Sequence, residues 1–152
     1  MPLTLSSPAF AAGKSIPGKF SCKGSSVSPA LAWTGAPSNT ASYALIVDDP
    51  DAPMGTFVHW VIYNIPAASN GLAEATAHTP TLGDGSAQGR NGANHQYYDG
   101  PCPPSGTHRY FFKLYALNTR LDLPSGVTAD QLMKAMQGHI LAQAELMGTF
   151  SK

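Results

Sequence analysis

The sequence predicts an all-β domain, a sandwich or a barrel, on three observations. Five apolar runs rich in aromatic and β-branched residues follow one another between residues 18 and 117. Clusters of Gly, Pro, Asn and Ser separate them, as turn chemistry separates strands. Fifteen glycines and thirteen prolines are scattered among these runs rather than bunched, which predicts many turns and no disordered tract.

Taken in order, GKFSC (18–22) and PALAW (29–33) read as the first two strands. SYALIVD (42–48) and FVHWVIYNI (57–65) follow, separated by the rigid DPDAP loop, and HRYFFKLYAL (108–117) is the fifth. Thr128 caps the one predicted helix, with Gln131 completing a capping box. Leu132, Met133 and Met136 then recur at helical spacing, and Gly138 is the stop. In the tail HILAQAELMGTF, Ile140, Ala142, Ala144 and Leu146 alternate, which favours a closing strand over an extension of the helix.

The 152 residues predict a single domain spanning 1–152, long enough for a substantial core. Only 12% of residues are charged, nine basic against nine acidic, so no basic stripe exists for a nucleic-acid backbone. No run approaches the ~20 apolar residues of a membrane span. The opening MPLTLSSPAF has neither the basic nor the apolar region of an export signal, which predicts a cytoplasmic protein. In that reducing setting Cys22 and Cys102 are expected as free thiols, a single bridge being the alternative.

Side chains alternate along a strand, so His59 is expected on one face with Phe57, Val61 and Tyr63. His108 and Tyr110 share a face with Phe112 and Leu114, while Arg109 points away toward a structural hydrogen bond or ion pair. Tyr43, Leu45 and Val47 lead to Asp49, where prolines at 50 and 53 stiffen the following loop. If these strand ends are neighbours, Asp49, His59, His108 and Tyr110 ring one cavity. Packed histidines and an Asp-Pro turn are the plainer reading of the same residues. The glycine-rich segment 83–106 exceeds the ~12–15 residues at which a structureless loop is either functional or suspect, and its N–H groups suit an anion. Nucleotide-binding glycine motifs, GxSxG, HExxH and CxxC are all absent. No close-spaced histidine pair anchors a metal, so neither metal nor cofactor is expected.

DPDAP (49–53), VHWVIYNIP (58–66) and GPCPPSGTHRY (100–110) resemble the signature blocks of the phosphatidylethanolamine-binding protein family, which includes the Raf kinase inhibitor protein and plant flowering regulators. The stretch from Phe20 to Pro53 and the ending HILAQAELMGTF are similar to its short bacterial, Raf-kinase-inhibitor-like branch. The resemblance covers residues 4 to 150. It implies a Greek-key antiparallel sandwich with one or two short helices and a small pocket for phosphate, phosphoethanolamine or acetate. Carried over position by position, the pocket takes Asp49, Pro53, His59, Gly100, Pro103, His108 and Tyr110, with Gly100 opening a cradle of backbone N–H groups and a cis peptide before Pro53. The chain departs from eukaryotic members in having Val58-His59 where they pair two histidines, and in placing Cys102 among prolines. It lacks their extended C-terminal helix, so the kinase regulation tied to that helix does not transfer.

The expected function is thus a non-enzymatic small-anion or lipid-head-group binding module that modulates a kinase or protease. A protease or kinase inhibitor acting through an exposed loop is the alternative, and a phosphoester hydrolase using two histidines is a third. A homodimer and peripheral lipid contact are further expectations of the resemblance. An Asp49 carboxylate beside a histidine is expected to raise the imidazole's pKa.

Overall fold

The computed structural model describes residues 2–152, which form two antiparallel sheets packed face to face, with one short helix before the last strand. The smaller sheet has β1 (Thr4–Ser6), β2 (Leu31–Thr34) and β5 (Gly71–Leu72), in the order β1-β2-β5. The larger comprises β3 (Ser42–Asp49), β4 (Phe57–Pro66), β6 (Ala87–Gln88), β7 (Thr107–Leu117) and β8 (Ile140–Ser151), in the order β6-β4-β3-β7-β8. β3 forms a hairpin with β4 on one side. On the other it pairs with β7, which returns from far along the chain in Greek-key fashion. The alternating tail is therefore a strand, and β8 pairs with β7 along its whole length.

Every residue of β3 is buried because both faces of the large sheet are covered. Tyr43, Leu45 and Val47 meet Trp33, Trp60, Phe112 and Leu114 between the sheets. Ala44 and Ile46 face the other way, toward Val61, Tyr63, Leu117 and the helix α1 (Ala129–Met136). The helix starts as its sequence dictates: Thr128 accepts from the Gln131 N–H, and the Gln131 side chain accepts from the Thr128 N–H. Leu132 and Met136 are fully buried, whereas Met133 lies on the outer face. Gly138, at φ 82°, turns the chain into β8.

Three expectations fail here for local reasons. GKFSC is not a strand: Gly18–Phe20 is a 3-10 turn, with the Phe20 N–H bonded to Pro17 O and the Ser21 N–H to Gly18 O. Phe20 plugs the core, which gives the run its apolar look, but its backbone hydrogen bonds close local turns rather than a ladder. The peptide before Pro53 is trans, as are all peptides among the described residues; Asp49 Oδ1 shapes the loop instead by accepting from the Asp51 N–H. Cys22 and Cys102 are not free thiols but a disulfide, with Cα atoms 5.4 Å apart across 80 residues of sequence. The turn after residue 20 and the segment after Gly100 pack against each other, and the Cys22 N–H donates to Pro101 O beside the bridge.

A fourth correction concerns face assignment. Val47 lies opposite Trp60 but Asp48 lies opposite Val58, so His59 is the extra residue of a β-bulge. The bulge puts His59 and Trp60 on the same side of the sheet and sends Val61 and Tyr63 to the helix side. His59 and Phe57 remain together, with ring centroids 4.9 Å apart.

Candidate functional site

The adjacent ends of β3, β4 and β7 bring Asp49, His59, His108 and Tyr110 to one cavity of about 320 Å³. That is near the lower bound of small-molecule pockets. The DPDAP loop supplies one wall, with Pro53 at its exposed rim. Gly100 and Pro103 supply the opposite wall, where Pro103 is buried and Pro104 lies exposed alongside it. Sequence reasoning missed Ser26, Asp99 and the two half-cystines in this lining. The cysteines were legible as a pair with a possible bridge; Ser26, at φ 54°, carries no signal in its neighbours.

Asp49 does two jobs at once. Its Oδ1 fixes the loop through the Asp51 N–H at 2.8 Å, and its Oδ2 accepts from His108 Nδ1 at 2.6 Å. Both residues of the pair are buried, Asp49 at 3% and His108 at 7% exposure. With Nδ1 committed to the carboxylate, Nε2 is the ring nitrogen that His108 offers to the cavity it lines. The loop is pinned a second time from outside. Asp51 accepts from the Arg109 N–H, Nε and Nη2 at 2.8–2.9 Å, which holds its carboxyl down at about 2, chiefly through the guanidinium hydrogen bonds. Arg109 thus points away from the cavity, as its strand position requires.

His59 is held differently. Its Nδ1 donates to the backbone carbonyl of Asp99 at 2.7 Å, and the Asp99 N–H donates back to His59 O at 3.1 Å. Asn91 Nδ2 also donates to His59 O, at 3.1 Å. Burial lowers the pKa of His59 below its ordinary value, and this outweighs the opposing pull of the Asp99 carbonyl and of the Asp49 charge. The expected rise beside Asp49 is thus overturned at this residue: desolvation of a ring 6% exposed wins.

Tyr110 stacks edge-on against His59, centroids 5.2 Å apart, and its buried hydroxyl lies near the Asp49 carboxylate but makes no hydrogen bond of good geometry. Burial, then the Asp49 charge, push that hydroxyl well above the usual phenol range, so it stays protonated and able to donate. The expected cradle of backbone N–H groups does not form at Gly100, because its N–H donates to Ser26 Oγ at 2.9 Å, and positions 101, 103 and 104 are prolines without a donor. Gly100 matters by being small: a Cβ there would lie 2.2 Å from Phe20 O. Among the described residues no group of three or more His, Cys, Asp or Glu side chains is arranged to hold a metal ion. Among the same residues no helix is long and apolar enough to cross a membrane.

Comparison with known proteins places these features in a wider set. The profile of the family described as phosphatidylethanolamine-binding protein matches residues 6–151. A UPF0098 protein of Methanothermobacter thermautotrophicus is 50% identical over 137 residues, covering 90% of this chain and 91% of that one. A Chlamydia trachomatis structure, titled a homologue of phosphatidylethanolamine-binding protein, superposes with a TM-score of 0.92 at 42% identity, over 99% of this chain and 98% of its own. Escherichia coli YbcL, titled a member of the mammalian family, gives a TM-score of 0.91 at 30% identity, over 100% of this chain and 99% of its own.

Proposed function

The chain belongs to the phosphatidylethanolamine-binding protein family, and we propose that its pocket binds a small oxyanion of the kind carried by phosphate, phosphoethanolamine or acetate. Asp49, Pro53, His59, Gly100, Pro103, His108 and Tyr110 form the proposed site. The observation that supports it most strongly is the buried Asp49–His108 pair at 2.6 Å. A carboxylate facing an anion directly would repel it. Here Asp49 is turned onto Nδ1 of an imidazole, so the group left for the ligand is Nε2. When His108 carries both protons, Nε2–H donates to an oxyanion while Asp49 balances the charge from behind, a short and comparatively strong arrangement. The unpartnered Tyr110 hydroxyl is the second donor.

Calorimetry with inorganic phosphate, which keeps a proton throughout the neutral range, tests this. Replacing His108 with alanine removes a charge-assisted donor and should weaken binding more than tenfold, about 1.4 kcal/mol or more. Unchanged affinity in that variant would assign the anion to another place.

A second reading, a surface that engages a target kinase or protease, is favoured by Met54. This side chain is 99% exposed at the tip of the loop that Asp51 and Arg109 pin down. An exposed methionine on a pinned loop beside a pocket is an adaptable contact of the kind used at protein-binding surfaces. Met54→Asp should leave phosphate affinity intact and abolish pull-down of any such target; retained pull-down removes the loop from the contact.

A further inference from the structure

We propose that the pocket selects oxyanions bearing a proton, such as hydrogen phosphate or a singly ionised phosphate monoester, over fully ionised tetrahedral anions such as sulfate, because His59 turns a lone pair toward the ligand. The inference rests on the anion-site reading above and adds to it the protonation state of the guest.

The tautomer of His59 follows from its partner. A backbone carbonyl can only accept, so the 2.7 Å contact with Asp99 O puts the hydrogen on Nδ1. The ring cannot easily flip to exchange its nitrogens. Phe57 lies edge-on at 4.9 Å and Tyr110 at 5.2 Å, and the Asp99 N–H···His59 O bond closes a two-way clamp. Asp99 itself is anchored, its Oδ2 accepting from Asn91 Nδ2 and from His95 Nδ1, both at 2.7 Å. Nε2 is therefore the nitrogen left for the cavity, and in a neutral ring it is an acceptor.

The ring is neutral near pH 7, since burial holds its pKa below 6.5 against the charges that face it. Those charges are Asp48 and Asp49 at the end of β3 and Asp99 in the segment after β6. His108 and Tyr110 of β7 complete the titratable neighbours.

An acceptor inside an anion site demands a donor on the guest. A P–OH group supplies one; sulfate at neutral pH has none and would set an oxygen lone pair against a nitrogen lone pair. An ammonium on the guest is the other candidate donor, but the carboxylates that could hold its charge are engaged. Asp49 holds His108 and the Asp51 N–H, Asp51 holds Arg109, Asp48 holds Lys113, and Asp99 holds His95 and Asn91. The donor that fits is thus the acid proton of the anion itself. This choice also separates sources of phosphate. Inorganic phosphate keeps a proton throughout the neutral range and a monoester keeps one below about pH 6. The diester of an intact phospholipid head group has none.

Calorimetry on the whole chain at pH 7.5 with inorganic phosphate, sulfate and glycerophosphoethanolamine tests the proposal, alongside nitrogen NMR of the His59 ring. We expect phosphate to bind roughly a hundredfold or more tighter than sulfate, as sites built for a hydrogen-bonding group reject analogues lacking it. The diester should bind as weakly as sulfate, and Nε2 of His59 should stay unprotonated in the phosphate complex. Sulfate within threefold of phosphate, with both lost in His108→Ala, overturns the selection while leaving the anion site standing. No binding of either anion overturns both. A diester as tight as phosphate, or an imidazolium at His59 in the complex, also overturns it. In folded His59→Gln, whose amide can donate as well as accept, the gap should shrink below tenfold; an unchanged gap moves the selection away from His59.

Discussion

Removing the Cys22–Cys102 bridge should cost the protein a large part of its stability and loosen the pocket at the same time. The bridge closes a loop with a sequence separation of 80 residues. In the chain-entropy treatment, tying such a loop in the unfolded chain removes about 15 cal/mol/K, or roughly 4.5 kcal/mol at 25 °C. That is a large share of the ~5–15 kcal/mol by which folded domains exceed their unfolded states. For a chain of this length it corresponds to a melting-point drop of about 9–18 °C. The double variant Cys22→Ser, Cys102→Ser leaves the neighbouring Cys22 N–H···Pro101 O and Gly100 N–H···Ser26 Oγ bonds in place, so it tests the covalent tie alone. Urea unfolding of oxidised wild type and variant gives the difference, and m should rise in the variant as its unfolded chain expands. Because both half-cystines line the cavity, phosphate affinity should fall in the same variant. A loss below about 1 kcal/mol, together with two titratable thiols in denatured wild type, would refute the bridge and restore the free-thiol reading of the sequence.

Gly100→Ala drives a Cβ to 2.2 Å from Phe20 O and 2.7 Å from Ser21 Cα, backbone atoms that cannot swing aside, and should cost about 3 kcal/mol or more in urea unfolding. Gly83→Ala, whose Cβ meets nothing within 4 Å, should stay within about 0.5 kcal/mol. The Asp51 carboxyl should titrate by NMR near 2 rather than 3.8, and return toward 3.8 in Arg109→Gln; since the folded value is the lower one, this contribution to stability is present above 3.8 and disappears as pH falls through 2. His59 has the same sense, in a higher pH window, though its cause is burial of the ring rather than a charged partner. Its folded pKa lies below 6.5, so between that value and 6.5 the unfolded chain binds more protons and stability falls on acidification, by at most about 1.4 kcal/mol per pH unit. Urea midpoints at pH 7.5 and 5.5 should show a smaller loss in His59→Gln than in wild type.

The sheets were largely legible because their strands obey rules that act within a few residues. β4 and β7 are long aromatic and β-branched runs with turn residues at each end, and α1 announces itself by Thr128 and Gln131. What local rules cannot supply is the two-versus-one pairing of a bulge. Strict alternation sends Val61 and Tyr63 to the side of His59, and only the opposing register of Val47 and Asp48 against Trp60 and Val58 shows that they leave it. Phe20 misled for the related reason that a single core anchor in a turn looks, over five residues, like a strand.

The candidate site divides along the same line. The residue types that reach the cavity were readable from strand ends and from three sequence blocks, but what each does depends on which partner occupies its second polar atom. Asp49 could have faced a ligand or a histidine. Its Oδ2 takes His108 Nδ1, which turns the acid away from a ligand and onto a ring that lines the cavity. Gly100 could have offered its N–H to the ligand, and Ser26, 74 positions away, has taken it. Two histidines of the same chemical type then divide into opposite roles: a carboxylate stands behind His108 and a carbonyl behind His59. The carboxylate takes the Nδ1 hydrogen of one ring, and the carbonyl fixes the tautomer of the other in a dry setting. Spacing in the sequence can put two imidazoles in one pocket, but only the atom behind each decides whether it gives a proton or asks for one.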